Sequence, residues 1–339
     1  MTAFKIYKLY FTAPLHIGDQ HEDGSSSQRT IHSDTLYAAL TSCLAKTGNA
    51  IPKDGYLGFT VSSLFPYYQH TAESRPIYFL PMPLQSRQPE LQDVSKAKKL
   101  KKVQWVDSML YGDILNGTFS LTNGETLLPY IKGSYLTKEE LPLDEDGSCE
   151  FVNSEISQRV TLKSRTGQED AKPYYVDKII FRHHAGFFFL AEGDTTLLDK
   201  ALNILAMEGI GTDRNVGFGY FEYSTDSISI ELPKESDHQL ALSLLIPESE
   251  EQLTQLISSD RVAYGFIRRG GWITTYPYTT IRKCAIYGFL PGSVFKKETG
   301  LDSKPIGRIV NLAPEVGELS PDHPIWRNGK SIMLPINLT

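Results

Sequence analysis

Residues 209–222, GIGTDRNVGFGYFE, limit what this chain can fold into more than any other stretch. Gly209, Gly211, Gly217 and Gly219 free the backbone to take positive φ and to approach closely whatever it faces. Successive amides in such a turn form an anion-binding concavity. No Gly-Lys-Ser/Thr follows, which excludes a mononucleotide P-loop. The segment leaves a helix-period run and enters a strand-period run, the reverse of a dinucleotide fingerprint. A polymer backbone fits, with Arg214 for phosphate, Thr212 or Asn215 for sugar or base edges, and Asp213 in the same turn. A glycine-rich bend without a ligand fits the same residues.

Elsewhere the period of the apolar positions sets the elements. Phe4, Ile6, Leu9 and Phe11 alternate through residues 4–15, which predicts an opening strand. Residues 19–30 are polar and read as a loop. Leu36, Ala39, Leu40, Cys43 and Leu44 recur at helical spacing behind Ser33 and Asp34, so a helix with those two residues as its N-cap is expected. Residues 77–84 hold two prolines, which places them at a sheet edge. Residues 86–147 read as an insertion, and its lysines, Lys96, Lys98, Lys99, Lys101 and Lys102, as a solvated helix face. A strand or hairpin over 178–190, a helix over 197–209 and a strand over 217–231 complete a β-α-β-β-α-β half. Proline and charge at 232–238 mark a boundary. Strands over 240–246, 262–267, 285–290 and 331–336 and a helix over 248–257 follow. The class is α+β, with a larger half over 1–235 and a smaller one over 236–339.

A chain of 339 residues with 40% hydrophobic content can bury two cores. Its apolar runs fall short of the ~20 residues of a membrane helix, and residues 1–10 lack the basic-then-apolar order of a secretory signal. Cys43, Cys149 and Cys284 make no C-x-x-C pattern, so a reducing cytoplasm and no metal are expected. His183 and His184 lack metal-ligand spacing, and no G-x-S-x-G is present. The net charge of −6 argues against a generally basic surface, so any nucleic-acid contact must be local.

Further candidates carry two readings each. His16, just past the opening strand, can donate to a phosphate or stack on a base, or serve as a structural histidine. The helix start at Ser33 and Asp34 can present amides to a phosphate or only cap itself. Arg159, Lys163 and Arg165, with Thr166 beside them, fall on even steps of a strand-like segment and would form a basic ladder or a solvated edge. Arg268, Arg269 and Trp272 flank two glycines, either as a stacking and phosphate site or as a hairpin turn.

Taken in order, Pro14-Leu15-His16-Ile17-Gly18, Ser33-Asp34-Thr35-Leu36, Tyr78-Phe79-Leu80-Pro81-Met82-Pro83, Gln158-Arg159-Val160-Thr161, Arg165-Thr166-Gly167, GIGTDRNVGFGYFE and the run 265–276 resemble the repeat-associated mysterious protein superfamily of CRISPR systems. Within it the chain is similar to the type III-A Csm-complex subunit that caps the 5′ end of the guide RNA. The resemblance implies two ferredoxin-like (RRM-like) domains, no cleavage activity and no cofactor or small-molecule substrate. As partners it implies the guide's repeat-derived 5′ handle, the large palm-domain signature subunit and the backbone subunit of the same superfamily. Thr161-Leu162-Lys163-Ser164-Arg165 departs from the Ile-Asp-Arg-like core of such relatives.

Two other classes fit the residue types. A metal-independent repeat endoribonuclease would use His16 or His32 as general acid or base with Tyr37 nearby. A protein-interaction module would turn the glycine-rich loop toward polypeptide.

Overall fold

In the computed structural model, strand β1 (Thr2–Phe11) faces apolar surroundings on both sides, with Phe4 and Ile6 in one cluster and Tyr7, Leu9 and Phe11 in another. The structure describes residues 1–18, 29–85, 94–145, 147, 151–160, 173–182, 184–297, 305–315, 317 and 320–338. A strand whose alternate side chains are buried both ways must lie inside a sheet. After it come α1 (Ser33–Lys46), β2 (Phe59–Val61), β3 (Phe65–Tyr68), β4 (Ile77–Pro81), α2 (Val94–Lys102), β5 (Trp105–Asp107), α3 (Ser108–Leu115), α4 (Gly124–Leu127), β6 (Ile131–Lys132) and β7 (Tyr135–Leu136). Next are β8 (Val152–Val160), β9 (Pro173–Phe181), β10 (Gly186–Gly193), α5 (Thr196–Glu208) and β11 (Phe221–Ile230).

The main sheet runs β11-β1-β10-β3-β4-β5-β7-β6, with β2 also on β10. Its first four strands are antiparallel throughout. Helices α1 and α5 cover one face, where Leu36, Leu40, Leu44, Leu198, Leu202 and Leu205 meet Tyr7, Leu9 and Phe189. Each such side chain, fully buried, contributes about 1.5–3 kcal/mol. On the other face Leu110, Tyr111, Ile114 and Leu115 of α3 pack with Phe4, Ile6, Ile228 and Ile230. Hairpin β8-β9 leaves the sheet and exposes Ile156, Val160, Tyr174 and Tyr175.

Beyond residue 236 lie β12 (His238–Ala241), α6 (Glu250–Leu256), β13 (Phe266–Arg269), β14 (Ile286–Phe289), β15 (Val294–Lys296), β16 (Ile309–Asn311), β17 (Trp326–Asn328) and β18 (Met333–Ile336). Strand β12 sits between β15 and β18, and Ala263 bridges Val294 of β15. Leu240, Leu242, Val294, Leu334 and Ile336 join the cluster that holds α3. The two halves therefore share one apolar core across residues 232–238.

Several expectations are corrected. Residues 77–84 are not an edge: β4 lies between β3 and β5. Pro81 is tolerated because it is the strand's last residue, and Pro83 lies beyond it. Within 86–147, β5, β6 and β7 extend the sheet and α3 enters the core, so that part is no loose insertion. Residues 178–190 divide between β9 and β10, and β9 pairs with β8 rather than β10. The helix starts two residues earlier than expected, at Ser33 rather than Thr35, with His32 at the N-cap position and no side-chain cap.

Candidate functional site

Helix α5 ends at Gly209, and the glycine-rich loop then laces itself to the segment that leaves β1. Ile210 N–H donates to the Gly219 carbonyl (2.9 Å), Gly219 N–H to Pro14 (2.8 Å) and Thr212 N–H to His16 (2.9 Å). Gly219 has φ +76°, and a Cβ there would lie 1.9 Å from the Ile210 oxygen, so only glycine fits. Gly217 has φ +91° but open space around it. Val216, Gly217 and Phe218 also donate to loop carbonyls. Six amides of the loop are thus engaged internally, which narrows the amide-rich concavity expected from the sequence. Thr212, Asn215 and Val216 remain exposed, and Arg214 is part-exposed with Nη1 3.9 Å from Glu208.

Hairpin β8-β9 closes on this loop. Arg159 Nη1 donates to Asp213 Oδ2 at 2.7 Å, and the same guanidinium lies over the Phe218 ring at 4.8 Å. Asp213 is held in the left-handed region, φ +60°, where aspartate is among the tolerated residues. Across the hairpin Arg159 pairs with Tyr174 and Gln158 with Tyr175. Arg159 and the exposed Tyr174 across from it therefore share one face of the hairpin beside an exposed polar loop tip, and Tyr175 is exposed on the other face. Neither Phe218 nor Tyr174 was singled out by sequence reasoning, because both gain their meaning from pairing across a long span of chain. Lys163, Arg165 and Thr166 lie outside the described residues.

His16 sits beneath the loop, 6% exposed, with Nδ1 donating to the Asp177 carbonyl. Its backbone carbonyl is the anchor for Thr212.

Ser33, Asp34 and Arg269 are brought together elsewhere, between the two halves. Ser33 Oγ accepts from Leu244 N–H at 2.9 Å. Asp34 is fully buried, and its carboxylate accepts from Arg269 Nε and Arg327 Nη1, each at 2.8 Å. Burial opposes charge on Asp34, yet the Arg269 and Arg327 guanidiniums overcome it and hold the carboxyl well below the usual range. These groups differ from the ligand-facing role expected of them: their polar atoms already have partners inside the fold. Arg268 and Trp272 are exposed, and Arg282 stacks on the Trp272 ring at 4.7 Å.

The nuclease candidates do not converge on open space. His32 is 7% exposed, and the Tyr37 hydroxyl donates to Gly55 O and accepts from Leu57 N–H. Burial pushes the Tyr37 hydroxyl well above its ordinary pKa. Among the described residues no cluster of His, Cys, Asp and Glu could hold a metal ion, and no helix is long and apolar enough to cross a membrane.

Residues 234–336 match the family described as the CRISPR Csm4 C-terminal domain. The CRISPR system Cms protein Csm4 of Mycobacterium tuberculosis (strain H37Rv) is 25% identical over 330 residues, 95% of this chain and 94% of that one. The Csm4 protein of Streptococcus thermophilus is 23% identical over 323 residues, covering 91% and 93%. Two solved structures share the fold. One is the Csm3-Csm4 subcomplex of the type III-A interference complex, with TM-score 0.58, 17% identity and coverage of 99% and 100%. The other is a Csm1-Csm4 cassette with pppApA, with TM-score 0.57, 19% identity and coverage of 100% and 99%. The chain is thus similar to Csm4 proteins over nearly its whole length, and its residues 234–336 match that family's C-terminal domain.

Proposed function

We propose that this chain is a non-catalytic scaffold subunit of a type III-A effector complex. It grips the repeat-derived 5′ handle of the guide RNA and docks the large signature subunit and the backbone subunit. The observation that carries this reading is the junction of Arg159 with Asp213 and Phe218, which sets the hairpin, with exposed Tyr174 across from Arg159, beside the loop tip at Arg214 and Asn215. Cations that position a phosphate backbone and aromatics that stack on bases are what single-stranded RNA binding requires. The relatives are solved with Csm1 and with Csm3, which supports the same two kinds of partner here.

The two halves read as ferredoxin-like. In the first, β11-β1-β10-β3 with α1 and α5 on one face is the 4-1-3-2 order of a split β-α-β pair. In the second, the Ala263 segment, β15, β12 and β18 repeat the order 2-3-1-4 with α6 after its first strand.

The test is purification of the assembled complex carrying Arg159→Ala with Arg214→Ala. Guide RNA content is expected to fall while any cleavage chemistry of the complex stays unchanged in kind. Unaltered guide content would count against the reading, and specific cleavage of repeat RNA by the isolated chain in chelator would favour the endoribonuclease.

A further inference from the structure

Strands β13 and β14 form a two-stranded antiparallel sheet in which Phe266 stands opposite Phe289, Ile267 opposite Gly288, Arg268 opposite Tyr287 and Arg269 opposite Ile286. Residues directly opposite, and residues two apart on one strand, share a face. Ile267, Arg269, Ile286 and Gly288 therefore make one face, and it turns into the molecule. Arg269 holds the buried Asp34 carboxylate, and a Cβ on Gly288 would lie 2.4 Å from Leu244 Cδ2. Phe266, Arg268, Tyr287 and Phe289 make the other face. There Phe266 is 63% exposed and Tyr287 60%, with their rings edge to face and the centroids 5.8 Å apart. Tyr264, also exposed, sets its ring against Phe289 at 5.1 Å and continues the row. The Arg268 side chain is exposed and makes no hydrogen bond or ion pair among the described residues.

Contiguous aromatic surface left open to water marks a recognition site. The charge around it selects the partner. Residues 261–297 carry seven Lys or Arg and no Asp or Glu, in a chain whose net charge is −6. A polyanion suits such a segment better than a polypeptide of mixed charge. Aromatics standing on the open face of a sheet stack bases, and stacking tolerates any base because each has a π-face. An arginine in the same row supplies the contact to phosphate.

We propose that the outer face of β13 and β14, with Phe266, Arg268 and Tyr287, is a second surface for single-stranded RNA, on the C-terminal half of the chain. The two rings stack bases and Arg268 takes a phosphate. The strand is the guide or the target that pairs with it, which share this chemistry. The surface goes beyond the loop reading above and uses none of its residues.

The experiment starts from the full chain carrying Arg159→Ala with Arg214→Ala, so that the glycine-rich loop and hairpin β8-β9 contribute as little as possible. Binding of a labelled oligouridylate is followed by fluorescence anisotropy over a range of potassium chloride. Adding Phe266→Ala with Tyr287→Ala is expected to weaken binding at least about tenfold, since two stacks are lost. Tyr287→Phe should retain binding, because the ring remains. Phe266→Leu with Tyr287→Leu stands in for the alanine pair if that one folds poorly. Arg268→Gln should reduce the slope of log affinity against log salt by about 0.7. Equal affinity with and without the two rings, a slope unchanged in Arg268→Gln, or no binding by the starting chain overturns the proposal. In the assembled complex, ultraviolet crosslinks from thiouridine to peptides containing Phe266 or Tyr287 identify the strand: the guide when the guide carries the label, the target when the target does. No crosslink to either strand overturns the proposal, and loss of a protein subunit from the Phe266→Ala with Tyr287→Ala complex would then make this face a polypeptide dock. Because the loop is already disabled in the first arm, its result is independent of what Arg159→Ala with Arg214→Ala does to guide retention.

Discussion

Arg327 Nη1 lies 2.8 Å from Asp34 Oδ2, joining two buried residues that stand 293 positions apart. Arg269 takes the same carboxylate from the β13 side. This single buried anion thus ties the N-terminus of α1 to β13 and β17, and its neighbours Ser33 and Ser63 add bonds to Leu244 and Leu242.

Asp34→Asn keeps the shape and removes the charge, which leaves two guanidiniums facing each other. Breaking a buried pair this way costs about 3–5 kcal/mol. The pH dependence follows from the depressed carboxyl pKa. The tie is fully present above the unfolded value of about 4 and is lost as pH falls below it toward the folded value. Urea unfolding of both proteins should show a large difference at pH 7 that shrinks as pH drops below about 4. Parallel curves across that window would show that the carboxylate does not carry the tie.

The glycine-rich loop separates two roles of glycine. At Gly219 an added Cβ meets the Ile210 oxygen and φ is positive, so alanine should cost about 1–2 kcal/mol for the backbone and a further 1–3 for the clash. At Gly217 only the backbone cost of about 1–2 kcal/mol applies, because nothing stands within 4 Å. Denaturant midpoints of the two variants should rank in that order. A Gly217→Ala variant as unstable as Gly219→Ala would mean that the loop packs against something at its tip.

Much of this fold is written in local periods. The alternation of Phe4 and Ile6 against Tyr7, Leu9 and Phe11 places β1 inside a sheet, and the leucine spacings of α1 and α5 are the faces that cover it. What local rules miss is pairing at a distance. Pro81 and Pro83 speak for an edge only until β5 arrives beside β4. Ser33 and Asp34 have the residue types of an N-cap, yet their partners, Leu244, Arg269 and Arg327, come from the other half of the chain. The loop's glycines and Arg159 were legible, but Phe218 beneath the guanidinium was not, since Phe in a Gly-Phe-Gly strand entry looks like ordinary core.

Arg214 sits part-exposed at the loop tip, with Nη1 3.9 Å from Glu208 as its one ion pair among the described residues. If it neutralises one phosphate of the guide, Arg214→Ala should reduce the slope of log affinity against log salt by about 0.7, the single-strand value for one contact. Filter binding of guide RNA to the assembled complex over a range of potassium chloride reads that slope. A weaker affinity with an unchanged slope would assign Arg214 to a contact other than phosphate.

Arg159 does two things at once that lysine cannot. Its planar guanidinium stacks on Phe218 while Nη1 reaches Asp213, and an ammonium keeps the charge but loses the stack and the fork. The ion pair is partly exposed, with side chains 25% and 33% accessible, so its own coupling should be only about 0.2–1 kcal/mol in a cycle with Asp213→Asn. Arg159→Lys is therefore expected to resemble Arg159→Ala, both in the mobility of hairpin β8-β9 measured by hydrogen exchange and in guide retention. If lysine instead preserves both, the residue acts as a charge alone, and the stack on Phe218 is incidental to how the hairpin is held.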